Sequence, residues 1–247
     1  LQFAEKYFED LKGTPATDDF MRPATQWKIK AEEVGKYTDT PDLTYTKKVE
    51  SGDIYKDLGL GSKIEKKNVS VYVDGVANAS QPAYAITKGD DTNKYGDNGI
   101  LTEVFYDDDA ETVTITEINT YIGSINKTVK ATDKKDAYVV VTAEGPVVAN
   151  FKNEFETDEK FEDDAYVLYT YSKDAQEIKS VALATKVEGT VTRAENDTDN
   201  DKNDAKALTI DGTKYKDSKY VAGEKLSSVS VKEDYTVYLD AYGYMIY

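Results

Sequence analysis

The side chains that could carry chemistry in this sequence are mainly carboxylates, because its 247 residues include 47 Asp and Glu but no Cys and no His. Without Cys and His, the usual thiol nucleophiles, Ser–His triads, imidazole general bases and zinc sites are excluded. Catalysis would have to use carboxylate, Lys or Tyr side chains, and the spacing marks no two acids as a glycosidase pair. We therefore predict that the chain is not an enzyme.

One acidic stretch has the spacing of a calcium-binding loop. Four oxygen-bearing side chains stand at every second position, as in the first half of an EF-hand loop: Asp197, Asp199, Asp201 and Asn203. The pattern then ends, because Lys202 occupies the position of the usual turn glycine and Leu208 that of the bidentate glutamate. We keep these residues as a candidate site for weak calcium binding, with a solvated acidic loop as the alternative. No other cofactor is predicted.

Smaller acidic groups and the many tyrosines each have two interpretations. The acidic groups are Asp90 with Asp91, Asp107 with Asp108 and Asp109, and Asp163 with Asp164. They could gather a cation, but Asp is common in turns because it accepts local backbone hydrogen bonds, and we favour the turn interpretation. Exposed rows of Tyr can stack on sugar rings, whereas half-buried Tyr is typical of strands, and we favour the second. The tyrosines concerned are Tyr166, Tyr169, Tyr171, Tyr235, Tyr238, Tyr242, Tyr244 and Tyr247.

Alternating apolar residues and turn signals indicate β-strands over most of the chain. Residues 69–73 alternate and end at Asp74-Gly75, a typical hairpin turn. Helical spacing occurs in residues 1–12, where Gly13 and Pro15 supply a stop. We predict an all-β protein with one short N-terminal helix over these first dozen residues.

A repeat is the strongest internal signal. Asp108, Asp174 and Asp240 each stand in a strand–turn–strand stretch and are 66 residues apart, and the same offset relates Gly123 to Gly189. The repeat predicts tandem modules of about four or five short strands, each a small β-barrel or a two-sheet β-sandwich. The predicted divisions are 1–50 for the helix and lead-in strands, and 51–120, 121–186 and 187–247 for three β modules.

The charge of the chain limits its partners. A net charge of −16 repels phosphate backbones and anionic lipid surfaces, so nucleic-acid binding is not expected. The sequence contains no apolar run of 18 residues, so no membrane span is predicted. Because the first residue is Leu1 rather than Met, we expect a processed or truncated piece of a longer protein.

Several stretches together carry a resemblance to a known family. They are residues 22–27 (RPATQW), 35–41, 99–109 with 119–121, and 235–244. They resemble the regions that follow S-layer homology repeats in surface proteins of clostridia-like Gram-positive bacteria, and the resemblance covers most of the chain. It implies an extracellular location in the cell wall or S-layer and a non-catalytic, structural or spacer role. A glycan- or protein-binding β module is the alternative.

The S-layer homology repeats themselves are not recognisable in this sequence. The resemblance therefore implies that cell-wall polysaccharide is bound through upstream domains rather than by these residues. Other copies of the surface protein are a further expected partner.

Overall fold

The computed structural model describes residues 10–77, 82–146, 151–196, 205–223 and 228–247. Within these ranges the chain is mostly β, so the predicted all-β class is confirmed. No helix in the described ranges is long and apolar enough to cross a membrane. The chain divides into two compact units: unit 1 comprises residues 1–45, 49–95 and 102–118, and unit 2 comprises 46–48, 96–101 and 119–247.

Unit 1 begins with an antiparallel meander of β1 (Leu11–Thr17), β2 (Pro23–Ile29) and β3 (Glu32–Thr38). The predicted N-terminal helix is wrong at Asp10, which lies in a turn, and at Leu11 and Lys12, which pair in β1 with Ile29 and Lys28. Every residue of β1 is paired with β2, and this pairing overrides the local helical spacing. The remainder of that predicted helix, residues 1–9, lies outside the described ranges.

A five-stranded sheet forms the rest of unit 1. Its strands, in spatial order, are β4 (Leu43–Tyr45), β9 (Leu101–Asp107), β10 (Thr112–Ile118), β6 (Val69–Val73) and β7 (Val76–Ala77). The pairing of β10 with β6 is parallel. A small additional sheet pairs β5 (Val49–Glu50) with β8 (Lys94–Tyr95). The apolar core lies around these strands and includes Ile54, Tyr95 and Ile115.

The described part of unit 1 contains two short helical segments, which corrects the prediction of a helix over the first dozen residues only. They are the α-helix α1 (Ser51–Asp57) and a 3-10 helix (Lys66–Asn68). Ile54 of α1 is fully buried, and the Ser51 hydroxyl donates a 2.9 Å hydrogen bond to the carbonyl of Ala85. An α-helix of about two turns is stabilised by tertiary packing rather than by its own sequence.

Unit 2 contains two small barrels. In the first barrel the spatial order is β13 (Glu154–Glu156), β12 (Tyr138–Ala143), β11 (Tyr121–Val129), β14 (Tyr166–Ser172) and β15 (Glu177–Leu183). The long strand β11 has a bulge between Ile125 and Lys127. A bulge bends a strand, and this bend lets β11 pair with β12 and β14 while β13 comes to lie beside β15. The first barrel is therefore nearly closed.

The second barrel repeats this connectivity. Its strands, in spatial order, are β18 (Thr213–Lys216), β17 (Ala205–Ile210), β16 (Thr185–Asn196) and β19 (Asp234–Leu239). Met245 closes the ring through a parallel bridge to Asp217 and an antiparallel bridge to Leu239. In this order the first strand of the barrel lies between the second and the fourth, and the fifth strand closes against the third. A five-stranded Greek-key barrel such as the OB-fold has the same strand order. Of the two predicted architectures, barrel and sandwich, these modules adopt the barrel.

Candidate functional site

The sequence-predicted calcium ligands cannot be placed, because Asp197, Asp199, Asp201 and Asn203 lie outside the described residues. Within the described ranges, no group of three or more acidic side chains is positioned to hold a metal ion. The turn acids Asp107 and Asp90 accept backbone hydrogen bonds from residues two or three positions later, at 2.9 and 3.0 Å. A hydrogen bond from the Asn93 side chain also lowers the pKa of Asp90.

An open groove runs along the first barrel where β13 faces β15. Its volume is about 740 Å³, and its walls combine the apolar side chains of Phe151, Phe155 and Ile178 with polar neighbours that include Lys152 and Asn153. Part of its charge is already paired, since Glu154 lies 2.8 Å from Lys135 and Glu177 forms an ion pair with Lys179. The groove therefore offers aromatic and polar contacts, and Lys152 and Glu156 add a charge of each sign to its lining.

A column of aromatic rings leads from this groove through the interior of the first barrel. Successive ring centroids are 5.3 to 5.5 Å apart in the order Tyr220, Tyr121, Tyr169, Phe151 and Tyr171. Tyr169 is only 1% exposed, its hydroxyl has no hydrogen-bond partner among the described residues, and burial raises its pKa. Four of these rings belong to the first barrel, but Tyr220 lies in the segment of the second barrel between β18 and β19. The second barrel thus contributes a ring to the core of the first.

The junction of the two barrels is short and apolar. Only Ala184 separates β15 from β16. Beside it, Ile122 and Leu168 of the first barrel pack with Ile246 of the second, and these three side chains are 1%, 8% and 0% exposed. The two barrels are therefore joined through a continuous packed surface rather than through a linker.

Three tyrosines surround this junction. The ring of Tyr166 lies 4.4 Å from that of Tyr238 and 4.8 Å from that of Tyr247, measured between centroids. The hydroxyl groups of Tyr166 and Tyr247 are 3.5 Å apart, and this hydrogen bond raises the pKa of Tyr166 to about 12. Because the rings pack against one another, the cluster offers little free aromatic face to a sugar.

The tyrosines that the sequence analysis named therefore lie in different environments. Tyr169 and Tyr171 lie in the core of the first barrel, Tyr166 and Tyr238 at the junction, and Tyr242 is 38% exposed. Sequence reasoning missed Phe151 and Tyr220, which complete the aromatic column. The available signal was that each is an aromatic residue outside the predicted strands.

Comparisons with protein-family models, with curated proteins and with solved structures gave no match.

Proposed function

We propose that this chain is a non-catalytic spacer of an exported surface protein, in which small β-barrels are joined rigidly so that other parts of the protein are held at a fixed separation. The observation that carries the proposal is the junction in unit 2, where one residue, Ala184, links two barrels across a packed apolar surface. A spacer needs stiffness between modules, and this junction supplies it.

The contacts at the junction explain why bending would be costly. Rotating one barrel against the other would expose Ile122, Leu168 and Ile246, and would withdraw the Tyr220 ring from Tyr121. Each fully buried aliphatic side chain contributes about 1.5–3 kcal/mol. The packed orientation should therefore dominate the population.

The proposed location is extracellular, in the cell wall or S-layer. It is supported by the sequence resemblance and is compatible with the net charge of −16. Anchoring to cell-wall polysaccharide would come from domains outside these residues, and neighbouring copies of the surface protein are the other proposed partners.

The stiffness can be measured directly because the chain has no Cys. Spin labels on Lys134→Cys, in the first barrel, and Lys216→Cys, in the second, report the distance between exposed positions of the two barrels. We expect double electron–electron resonance to give one narrow distribution of distances between the two spin labels. Adding Tyr238→Ala should broaden it, whereas adding Tyr242→Ala, at a more exposed position, should not.

A broad distribution in the otherwise unmodified, doubly labelled chain would show a flexible joint and would overturn the spacer proposal. Circular dichroism of each variant establishes that the barrels remain folded.

Glycan binding is a second candidate function, and the groove of the first barrel is the observation that favours it. Its volume of about 740 Å³ is in the range typical of ligand sites, and Phe151 and Phe155 provide apolar surfaces beside the Asn153 amide. Such a combination suits a neutral saccharide, whose rings have apolar faces and polar rims.

An NMR titration of the isotope-labelled chain with neutral oligosaccharides tests this candidate. We expect saturable shifts of the amide signals of residues 151–156 that Phe155→Ala removes and Tyr37→Ala, in unit 1, leaves unchanged. The absence of shifts at millimolar oligosaccharide would reject glycan binding in the groove, and would leave the spacer proposal untouched.

A further inference from the structure

A short segment distant in sequence docks on the second barrel within unit 2. The amide of Lys219 donates a 2.9 Å hydrogen bond to the carbonyl of Asn98, and the Asn98 side-chain amide donates one of 3.1 Å to the carbonyl of Asp217. The Lys219 ammonium also lies 3.2 Å from the Asp97 carboxylate. These contacts hold residues 97–101 against partners that lie more than 100 positions later in the sequence.

Beneath this segment lies a carboxyl group with only one of its oxygens satisfied. Asp240 is 3% exposed, and its Oδ1 accepts backbone hydrogen bonds from Tyr242 and Tyr244 at 2.8 and 3.0 Å. Its Oδ2 is buried and has no hydrogen-bond partner among the described residues.

Gly99 of the docked segment covers this oxygen. A Cβ atom at Gly99 would lie 2.3 Å from Oδ2 of Asp240 and 2.6 Å from Oγ of Ser218. Only glycine permits this approach, and its φ of +78° is also in the region that favours glycine. Docking therefore places the backbone of the segment directly over Oδ2 and keeps water from it.

We infer that Asp240 is a proton-controlled latch: its neutral acid form holds residues 97–101 against the second barrel, and its ionised form weakens that docking. The physical reason is that an unpaired carboxylate oxygen loses its hydration when the segment covers it, whereas a neutral acid loses much less. Burial raises the pKa of Asp240 even though the backbone donors of its own turn lower it, in agreement with the geometry.

Among the described residues, the surrounding charges do not neutralise Asp240. The docked segment contributes Asp97, the residues that follow β18 contribute Asp217 and Lys219, and the turn of Asp240 contributes Tyr244. Lys219 and Lys48 both pair with Asp97. Burial raises the pKa of Tyr244, and so do the carboxylates of Asp240 and Asp97.

The sign of the pH effect follows from this pKa direction. The pKa of Asp240 is higher in the docked, folded state than in the unfolded chain. The free-energy cost of covering its ionised carboxylate is therefore absent at pH values below the ordinary Asp pKa of about 3.9, and it is complete at pH values above the raised pKa. Docking is therefore expected to weaken as the pH rises through the raised pKa. Each unit by which the pKa of Asp240 is raised corresponds to a tenfold change in the docking equilibrium constant.

Two measurements on the full chain test the latch. Carbon-13 NMR of the labelled side-chain carboxyl follows the titration of Asp240, and hydrogen exchange of the Lys219 amide, corrected for its intrinsic pH dependence, follows docking. We expect Asp240 to titrate above about 3.9, and protection at Lys219 to fall tenfold for each unit of elevation.

The variants separate this inference from a general pH effect. Asp240→Asn keeps an oxygen acceptor for the turn and cannot ionise, so protection at Lys219 should become independent of pH. Asp174→Asn, at the corresponding but exposed position of the repeat, should behave like the unmodified chain. Titration of Asp240 at or below about 3.9 would overturn the inference, as would constant Lys219 protection across the titration. Both readouts come from the unmodified chain, so they stand even if Asp240→Asn fails to fold.

Discussion

The ring of Tyr220 packs against the ring of Tyr121 with centroids 5.3 Å apart and the ring planes tilted by 38°, although Tyr220 belongs to the second barrel of unit 2 and Tyr121 to the first. Tyr121 in turn stacks on Tyr169 at 5.5 Å. The core of the first barrel is therefore completed by its neighbour. In the full chain, barrels that share core residues in this way should stabilise each other.

Replacing Tyr220 tests this shared core. Tyr220→Ala removes a partly buried ring from the end of the aromatic column and should lower the free energy of unfolding by about 2 kcal/mol. Urea denaturation followed by circular dichroism measures the change. Tyr37→Ala removes a ring that is 53% exposed and should have a much smaller effect. Equal losses for the two variants would contradict the importance of the Tyr220 contact.

Two glycines at equivalent repeat positions should respond differently to the same substitution. A Cβ at Gly123 would lie 2.6 Å from Val141 Cγ1 and 2.7 Å from the backbone oxygen of Thr142, neither of which can move freely. A Cβ at Gly189 would meet the carboxylate of Asp211, an exposed side chain that can swing away, and would lie 2.9 Å from Cγ2 of the buried Ile210. We expect Gly123→Ala to cost about 2 kcal/mol and Gly189→Ala about 1 kcal/mol. Thermal and urea unfolding of the two variants check this order.

The carboxylate of Asp18 should contribute stability that depends on pH. Burial alone would raise its pKa, but hydrogen bonds from the Thr38 hydroxyl and from Arg22 lower the pKa below its usual value. Arg22 lies 2.6 Å from Asp18 and 3.1 Å from Glu103, so Asp18 belongs to a partly buried ion network. A lowered pKa means that this contribution is present at neutral pH. It is lost as the pH falls from about 3.9 through the lowered value.

Asp18→Asn removes this contribution. We expect a loss of about 2 kcal/mol at pH 7 that shrinks under acid conditions, measured by urea unfolding at a series of pH values. Asp10→Asn, which disrupts an exposed pair with Lys30, is the control and should have little effect at any pH. A loss for Asp18→Asn that does not change between pH 7 and about 3 would contradict the electrostatic explanation.

The last module should fold on its own, although with reduced stability. Residues 187–247 contain most of the second barrel and its closing residue Met245. The isolated fragment loses the contacts of Ile246 with Ile122 and Leu168 and lacks the docked segment at Asn98. We expect dispersed amide signals in NMR and a stability of only a few kcal/mol, as is usual for small cores without disulfides. Collapsed, undispersed signals would show that this module boundary is wrong.

Calcium binding by the acidic stretch remains a prediction, since Asp197, Asp199 and Asp201 lie outside the described residues. The missing turn glycine and bidentate acid predict weak, roughly millimolar affinity. Replacing the three Asp residues with Asn should therefore leave the melting temperature in chelator nearly unchanged. Calorimetry that revealed a stoichiometric micromolar site, abolished by this triple change, would show a specific metal site instead.

Local patterns in the sequence were sufficient for the fold class and the repeat. The alternation over β6 (Val69–Val73) corresponds to buried Val69, Val71 and Val73, because side chains in a strand point to opposite faces in turn. The 66-residue offset places Gly123 in β11 and Gly189 in β16, the first strands of the two barrels. The spacing of apolar residues failed at Leu11 and did not reveal α1, because pairing with β2 and burial of Ile54 decide these two elements.

The three turn aspartates of the repeat mark the limit of what the sequence determines. It fixes the spacing of Asp108, Asp174 and Asp240 and their places in turns, because turn chemistry depends on neighbouring residues. It does not distinguish among them, yet Asp108 and Asp174 are exposed whereas Asp240 is 3% exposed. Only the tertiary structure decides this difference, because the residue that covers Asp240 is Gly99, which is far away in the sequence. Burial, and with it the pKa of a carboxyl group, depends on such distant contacts.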